Sequence, residues 1–431
     1  MTAYCPALFL SAPASGQGKT TITAGLARYF KQQGKIVRVF KTGPDYLDPQ
    51  ILEQASGQAV EPLDLWMAGE ADCKHKLYEA ACVADLILVE GAMGMFDGEP
   101  SSADLAATFG IPIAIVMDVK GMAQTTAALA TGLANFRNDY TVAGLIANNC
   151  GSERHAQLIR DALPDSLPLL AALARNPEVT LPERHLGLVQ ASEIRDELEQ
   201  CIERGAQWVA DSGLTELPSP VAFEDAIITK PKRLLEGVNI GIAKDEAFTF
   251  IYAANIDLLE QMGAHCHYFS PLYDDKLPEV DALWFPGGYP ELHANKLANN
   301  QAMNAAIREF FAANHPILAE CGGFLYTMET LTDLQGTTYP MLGILEGHGA
   351  MRGRSGCQGM QTAVLPEGDV RAHAHHRSRS ADTPEAIGHG RRQRHPAPGE
   401  AIYRKRNLTA TYLHLFFPSN AEAVAQLFKA Q

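Results

Sequence analysis

The stretch SAPASGQGKTT, residues 11–21, constrains this chain more than any other. It follows a short apolar run at 7–11 and is rich in small residues. It closes with Gly18-Lys19-Thr20 at the head of an amphipathic stretch, 20–33. A strand that breaks into such a loop and then a helix aims backbone N–H groups and a helix N-terminus at an anion, which is how phosphate-binding loops work. The usual first glycine is missing, and Ala12 and Pro13 stand in its place. Small residues at Ser15 and Gly16, with Gly18 behind them, still let the backbone approach a phosphate closely. The nucleotide-binding set is therefore Ser15, Gly16, Gly18, Lys19, Thr20 and Thr21. Lys19 reaches the terminal phosphates of ATP, and the Thr20 hydroxyl ligates Mg²⁺.

A loop of this kind needs a parallel sheet around it, and the first half of the chain supplies one. Short apolar runs at 36–41, 86–90, 113–118 and 142–148 alternate with helical patterns such as 123–136. Apolar strands separated by helices imply a parallel sheet covered on both faces. Carboxylates stand at the ends of these strands, where open α/β sheets bind ligands. Glu90 ends DLILVE, Asp97 follows in GAMGMFDG, and KTGPDYLDP (41–49) offers Asp45 and Asp48. Hard oxygen ligands of this type suit Mg²⁺. Any one of them alone would read as a solvated turn residue; four together after a phosphate loop read as a site.

At 431 residues the chain is long enough for two or three domains. The periodic pattern lapses near 215–237, in a Pro-containing stretch of mixed charge, and then a second alternating series begins. The expected division is a phosphate-loop domain over 1–215, a linker over 216–236 and a second α/β domain over 237–431. A net charge of −15 argues against a nucleic-acid binder, which would present a basic field. The eight cysteines include no C-x-x-C pair, which fits a reducing cytoplasm better than a zinc site or disulfide scaffold. No apolar stretch approaches the ~20 residues that span a bilayer. A soluble cytoplasmic protein is expected, with no membrane partner.

The second domain carries its own constellation. In ILAECGGFLY an apolar run ends at Glu320, and Cys321 is followed by Gly322-Gly323 and a helical stretch. Such a strand–nucleophile–helix turn exposes the sulfur, and the helix N-terminus is expected to lower the thiol pKa. The Gly322 N–H is a natural oxyanion donor, and Gly288 in FPGGYPE is a second. His414, in TYLHLFF, is the candidate base. An ATP site and an ammonia-releasing thiol in one chain suggest a glutamine-dependent amide ligase. The segment 352–406 holds much of the positive charge, in RAHAHHRSRS, GRRQRHP and YRKR, and reads as a mobile surface loop.

The motifs SAPASGQGKTT, KTGPDYLDP, VEGAMGMFDG, VMDVKGMAQTTAAL, NNCGSERH, PGGYPELHANKLANN, AECGGFLY and LTATYLHLFFPSN, in this order, resemble the cobyrinic acid (or hydrogenobyrinic acid) a,c-diamide synthase family of cobalamin biosynthesis. The resemblance runs from residue 8 to about 420. It implies an N-terminal domain like dethiobiotin synthetase and a C-terminal class I glutamine amidotransferase domain of flavodoxin type. It also implies amidation of the a and c acetate side chains of a corrin acid, each step using one glutamine and one Mg-ATP. Carried over, Cys321 is the nucleophile and His414 its activator, with Gly288 and Gly322 at the oxyanion. Thr20, Asp45 and Glu90 serve the metal, Asp48 and Asp97 lie in substrate loops, and Asn148 resembles an adenine-reading asparagine. Class I amidotransferases often place a glutamate two residues after the histidine; here that position is Phe416. The partners implied are the corrinoid polycarboxylate, glutamine and ATP, and a homodimer stays open. So does another acceptor: nickel-sirohydrochlorin a,c-diamide synthase and cobyric acid synthase act on related tetrapyrrole acids.

Overall fold

The structure, a computed structural model, describes residues 1–181, 183–184, 187–188, 194–353 and 356–429. The chain divides into two compact units, Met1–Ile228 and Thr229–Gln431. Among the described residues no helix is long and apolar enough to cross a membrane.

The first unit runs β1 (Thr2–Ser11), α1 (Lys19–Gln32), β2 (Val37–Thr42), α2 (Leu47–Ser56), β3 (Glu61–Leu63), α3 (Glu70–Val83), β4 (Leu86–Glu90), α4 (Ser102–Phe109), β5 (Ile113–Asp118), α5 (Thr125–Asn135), β6 (Val142–Cys150), α6 (Glu153–Ala162) and β7 (Leu169–Ala174). A two-residue pair, β8 (Glu183–Arg184) and β9 (Gly187–Leu188), then leads to α7 (Arg195–Asp211) and β10 (Pro220–Glu224). Seven strands form a parallel sheet in the order β3-β2-β4-β1-β5-β6-β7. All five residues of β4 are buried, as in a sheet covered on both faces. Because the strands are parallel, Ser11, Thr42, Glu90, Asp118 and Cys150 end along one edge, and α1 starts there. Two contacts fix that helix. Gly25 of α1 packs so closely on α7 that a Cβ would stand 2.8 Å from the Gly205 carbonyl oxygen. Arg28 of α1 donates to Glu199 and Glu203 of α7 and to the Gln54 and Ala55 carbonyls.

The stretch expected to link the domains is partly ordered. β10 pairs antiparallel with Thr2–Pro6, the half of β1 that precedes its parallel ladder. Pro220 opens this strand, a position that proline tolerates, and only Phe223 is buried. One buried side chain in five residues leaves no period to read.

The second unit runs β11 (Asn239–Ala243), α8 (Ala253–Gln261), β12 (His265–Phe269), β13 (Ala282–Phe285), α9 (Ala294–Asn299), α10 (Gln301–Ala312), β14 (Ile317–Glu320), α11 (Gly322–Thr327), β15 (Thr330–Thr332), β16 (Thr338–Pro340), β17 (His348–Met351), β18 (Gln358–Leu365), β19 (Gly368–His375), β20 (Ser378–Ala381), β21 (Gly388–Arg392), β22 (Pro398–Lys405), β23 (Leu408–Thr411), β24 (His414–Leu415) and α12 (Ala421–Leu427). Its main sheet has the order β12-β11-β13-β14-β23-β22-β21-β18-β19-β24. The first five strands are parallel and the rest antiparallel. The basic segment 352–406 is therefore not a mobile loop but carries β18 to β22. Its charged residues are exposed (Arg371, Arg379, Arg391) or half-buried (Arg392, Glu400, Arg404), while Val370, Ala372, Ala374 and Ile402 are buried. Alternation between alanine and basic side chains hides a strand from a search for large apolar residues.

Candidate functional sites

In the first unit β1 breaks at Ser11 into a loop that turns through Gly16 and Gly18, both in the left-handed region (φ +76° and +90°). Gly18 must also be small: a Cβ there would stand 2.3 Å from Asn148 Nδ2. Helix α1 begins at Lys19, so its free N–H groups face the loop. Ser15 and Gly16 are exposed, Thr20 and Thr21 half-buried, and Lys19 buried. Lys19 Nζ donates to the carbonyls of Met93 (2.8 Å) and Ala14 (3.4 Å). Burial holds the Lys19 ammonium below its ordinary pKa, against the pull of Glu90.

The acids gather around a residue to which the sequence reading gave no role, Lys41. Its Nζ lies 2.6 Å from Glu90 Oε1, 2.6 Å from Asp48 Oδ2 and 3.6 Å from Asp45 Oδ2. Lys41 and Glu90 are register partners on β2 and β4, so the sheet itself sets their contact. Burial would lower the Lys41 pKa, but the three carboxylates raise it well above the usual lysine range. Burial and the neighbouring Asp48 push Asp45 up to about 7; its Oδ1 accepts the N–H groups of Leu47 and Asp48. For Asp48, burial pushes upward but Lys41 prevails, and its pKa falls. The Thr20 hydroxyl donates to Glu90 Oε1 at 2.8 Å. Glu90 is fully buried, and its Oε2 has no hydrogen-bond partner among the described residues. An orphaned oxygen beside a hydroxyl and two aspartates is a donor set that fits Mg²⁺. Among the described residues no group of three or more His, Cys, Asp or Glu is placed to hold a metal ion.

Two candidates sit differently from expectation. Asp97 is exposed, and its carboxylate accepts the Gly94 N–H at 3.0 Å, closing its own loop outside the Lys41 cluster. Asn148 turns its amide onto the phosphate loop: Nδ2 donates to the Gln17 carbonyl (2.9 Å) and Oδ1 accepts the Asn149 N–H (2.8 Å). Gln17 in turn accepts the Asp118 N–H at 2.8 Å. Asn148 thus braces the loop in this structure, where the resemblance had it reading adenine.

In the second unit β14 ends at Glu320 and Cys321 makes the turn at φ +46°, a strained conformation for a residue with a side chain. The Cys321 N–H donates to the Thr411 carbonyl at 2.8 Å, and α11 follows at once. Loop 286–288, after β13, closes on both partners. A Cβ on Gly287 would stand 2.3 Å from His414 Cε1, and one on Gly322 would stand 2.9 Å from Gly288 N. The structure therefore brings Cys321, Gly288, Gly322 and His414 together. The expected fall in the thiol pKa does not follow. Burial pushes Cys321 well above the usual thiol range, Glu291 adds to it, and the Gly322 N–H opposes only weakly. His414 is buried and held far below its ordinary pKa by burial and by His373, His375 and His376. Its ring stacks on His373 with centroids 4.8 Å apart. A neutral imidazole can accept the proton of a neutral thiol brought within hydrogen-bond reach.

Sequence reasoning also missed a cavity of about 470 Å³ lined by residues of the basic segment, among them Arg352, Arg379, His376 and Glu400, and by Tyr412. His376 Nε2 lies 3.2 Å from Glu400, and its ring stacks on Tyr412 at 3.9 Å. Glu400 is within electrostatic reach of the Cys321 thiol. Cations and an anion facing one space next to a nucleophile suit a zwitterion. The clustered His and Arg codes were the available signal, but it needs the strands to be read first.

Comparison with known proteins agrees with both constellations. The CobQ/CobB/MinD/ParA nucleotide binding domain family matches residues 8–189, and the CobB/CobQ-like glutamine amidotransferase domain family matches residues 239–422. The hydrogenobyrinate a,c-diamide synthase of Stutzerimonas stutzeri is 49% identical over 425 residues, covering 99% of each chain. That of Pseudomonas aeruginosa is also 49% identical over 425 residues, covering 99% of this chain and 98% of its own. The cobyrinate a,c-diamide synthase of Herminiimonas arsenicoxydans is 43% identical over 427 residues, covering 98% of this chain and 97% of its own. At such identity over full length, the chain belongs to the family of hydrogenobyrinate and cobyrinate a,c-diamide synthases.

Proposed function

We propose that this protein uses glutamine and ATP to amidate the a and c acetate carboxylates of hydrogenobyrinic or cobyrinic acid. The observation that carries the reading is full-length similarity at 49% identity to two hydrogenobyrinate a,c-diamide synthases, joined to a phosphate loop and a cysteine elbow in one chain.

In the second unit the Cys321 thiol attacks the side-chain amide carbon of glutamine while His414 takes the thiol proton. The oxyanion forms at the N–H groups of Gly288 and Gly322. His414 returns the proton to the departing nitrogen, releasing ammonia and leaving a glutamyl thioester that water hydrolyses to glutamate and free thiol. The polar cavity at Arg352, Arg379 and Glu400 suits the charged end of the amino acid. In the first unit Lys19 and the N–H groups at the head of α1 hold the ATP phosphates. Mg²⁺, when bound through Thr20, Glu90 and Asp45, supplies charge neutralisation at the β- and γ-phosphates. The acceptor carboxylate, near Asp48 and Asp97, attacks the γ-phosphorus to give an acyl phosphate and ADP. Ammonia then displaces inorganic phosphate to form the amide.

The test offers hydrogenobyrinic acid, cobyrinic acid and nickel-sirohydrochlorin in parallel with Mg-ATP and glutamine, following ADP and product mass. The expected outcome is two amides on one corrin acid. Cys321→Ser should lose glutamine-driven amidation by about 10³-fold or more, while ammonia-driven amidation persists. ATP hydrolysis with no amidated tetrapyrrole would remove the acceptor assignment.

A further inference from the structure

The base of the thiol site sits on a strand of only two residues, β24, whose ladder partner is β19 through the pairs Ala372–Leu415 and His373–His414. In the order of the sheet, β24 and the nucleophile strand β14 are separated by β23, β22, β21, β18 and β19. Among the described residues no ladder hydrogen bond joins the strand of His414 to the strand of Cys321. A side chain does. Glu320, the last residue of β14 and the neighbour of Cys321, is 2% exposed and accepts the Leu415 N–H on Oε1 at 2.8 Å. Its other oxygen, Oε2, accepts the indole N–H of Trp284 at 2.9 Å. Trp284 lies on β13, which runs directly into the Gly287-Gly288 loop, and is fully buried.

One carboxylate therefore ties together the strand of the base, the strand of the nucleophile and the strand that feeds the oxyanion loop. Other backbone tethers near β24 reach other elements: the Leu415 carbonyl accepts from Asn255, and the Phe416 N–H donates to the Arg371 carbonyl. The residue two past the base, Phe416, is fully buried and lies edge-on to the Tyr252 ring. That position supplies no acid. A carboxyl group can accept one N–H on each oxygen; a carboxamide can accept on only one, and its NH₂ would face the second donor. Both N–H groups are buried, so losing either acceptor forces a shift of the strand that carries it.

We propose that Glu320 is a positioning residue of the glutaminase site, one oxygen holding the strand of His414 and the other the strand leading to Gly288, so that both close on Cys321. This rests on the reading of Cys321 and His414 as the glutamine-hydrolysing pair.

The experiment measures glutamine hydrolysis and the pH profile of Cys321 alkylation by iodoacetamide. It compares the full-length protein with Glu320→Gln, Trp284→Phe, His414→Ala and the Glu320→Gln/His414→Ala double variant. The profile also feels His373, His375 and His376 around the base and Glu291 and Glu400 around the thiol, which stay constant across the series, and Glu320 itself, whose direct effect on the thiol is lost in Glu320→Gln but kept in Trp284→Phe. Misplacement of the base by ~1 Å is expected to lower kcat of Glu320→Gln by about 10²-fold with KM within about threefold. Its alkylation profile should move to that of His414→Ala, and the double variant should match His414→Ala alone. If Glu320→Gln does not fold, Trp284→Phe, which removes one N–H and keeps most of the ring, should show the same coupling with a kcat loss of about tenfold. Wild-type kcat and profile in a folded Glu320→Gln would overturn the proposal, as would wild-type values in Trp284→Phe where only that variant folds. An equal further loss in the His414→Ala background would overturn it too, since the effect would then bypass the base. Hydrolysis surviving in Cys321→Ser would instead sink the underlying reading and leave the geometry of Glu320 untouched.

Discussion

The two units solve the problem of buried ionisable groups in opposite ways. Around the phosphate loop ion pairing holds Lys41 and Asp48 in their charged forms, with Lys41 facing Glu90, Asp48 and Asp45 within 3.6 Å or less, and Asp45 alone is pushed up, to about 7. Around Cys321 burial drives the groups toward neutrality, raising the thiol and lowering His373 and His414. The difference matches the chemistry each site would perform. A site for polyphosphate and Mg²⁺ must exchange charges in place, so its acids need a resident cation when empty. A thiol and its base start neutral and need one proton to move, so a dry pocket without formal charge serves them. Charge pairing makes the first site sensitive to losing a partner, and burial makes the second sensitive to pH.

The sharpest way to break this comparison is Lys41→Met. It keeps much of the side-chain volume and leaves three carboxylates facing one another. Removing one partner of a buried ion pair costs about 3–5 kcal/mol. The first unit should melt at a markedly lower temperature, with faster hydrogen exchange in β2 and β4, while the second unit keeps its protection. Millimolar Mg²⁺ is expected to restore part of the loss by taking over the role of the cation. A variant with wild-type exchange in β4 would mean the acids are not held by Lys41.

The acid response should sharpen the contrast from the other side. Burial holds His373 down to about 3 and His414 well below its ordinary value. The unfolded chain binds protons at both histidines near ~6.5 while the folded unit does not. The stability these groups contribute is therefore full above about 6.5 and lost as pH falls toward about 3, at ~1.4 kcal/mol per pH unit for each histidine. Burial acts in the opposite sense on Glu320 and Glu291, pushed up to about 8 and about 7, which take up protons in the folded unit over the same range, so urea unfolding at pH 7 and pH 5.5 is compared between wild type and a histidine variant. His373→Phe, which keeps a ring against His414, should remove that histidine's share, about 1 kcal/mol of acid destabilisation between pH 7 and pH 5.5. The same difference between pH 7 and pH 5.5 in wild type and in His373→Phe would show that the histidine pair is hydrated and charged.

How much of this was legible in the sequence follows the same divide. The parallel sheet of the first unit could be read because its strands are continuous apolar runs, as in LILVE, and Gly-Lys-Thr marks where a strand gives way to a helix. Cys321 stood out because a thiol placed before two glycines, at the end of an apolar run, marks a tight strand-to-helix turn that presents a nucleophile. What stayed hidden was long-range pairing between polar side chains. Lys41 lies within a quoted motif, yet its partner Glu90 is 49 residues away and only strand register makes them neighbours. Glu320 likewise ends a strand like any exposed residue, and its meeting with Leu415 spans 95 residues. The basic segment was misread because its strands carry few large apolar side chains, and in β19 the buried positions beside the basic residues are alanines, so no period of two shows.

Asn148 gives the finest test of the paired, pre-set character of the phosphate site. Its amide holds the Gln17 carbonyl and packs where Gly18 leaves room, so it acts on the backbone that faces the phosphates. Phosphates are common to all nucleoside triphosphates, whereas an adenine-reading group would touch the base. The two roles therefore separate by nucleotide. Loss of one intramolecular hydrogen bond is worth ~1 kcal/mol, a factor of about five in affinity. Asn148→Ala should raise KM for ATP and GTP by that same factor and leave their ratio unchanged, with ammonia as nitrogen donor so that the thiol unit does not enter. If the ATP preference falls while GTP use is untouched, Asn148 reads the base after all, and its contact with the loop is a resting position that nucleotide binding breaks.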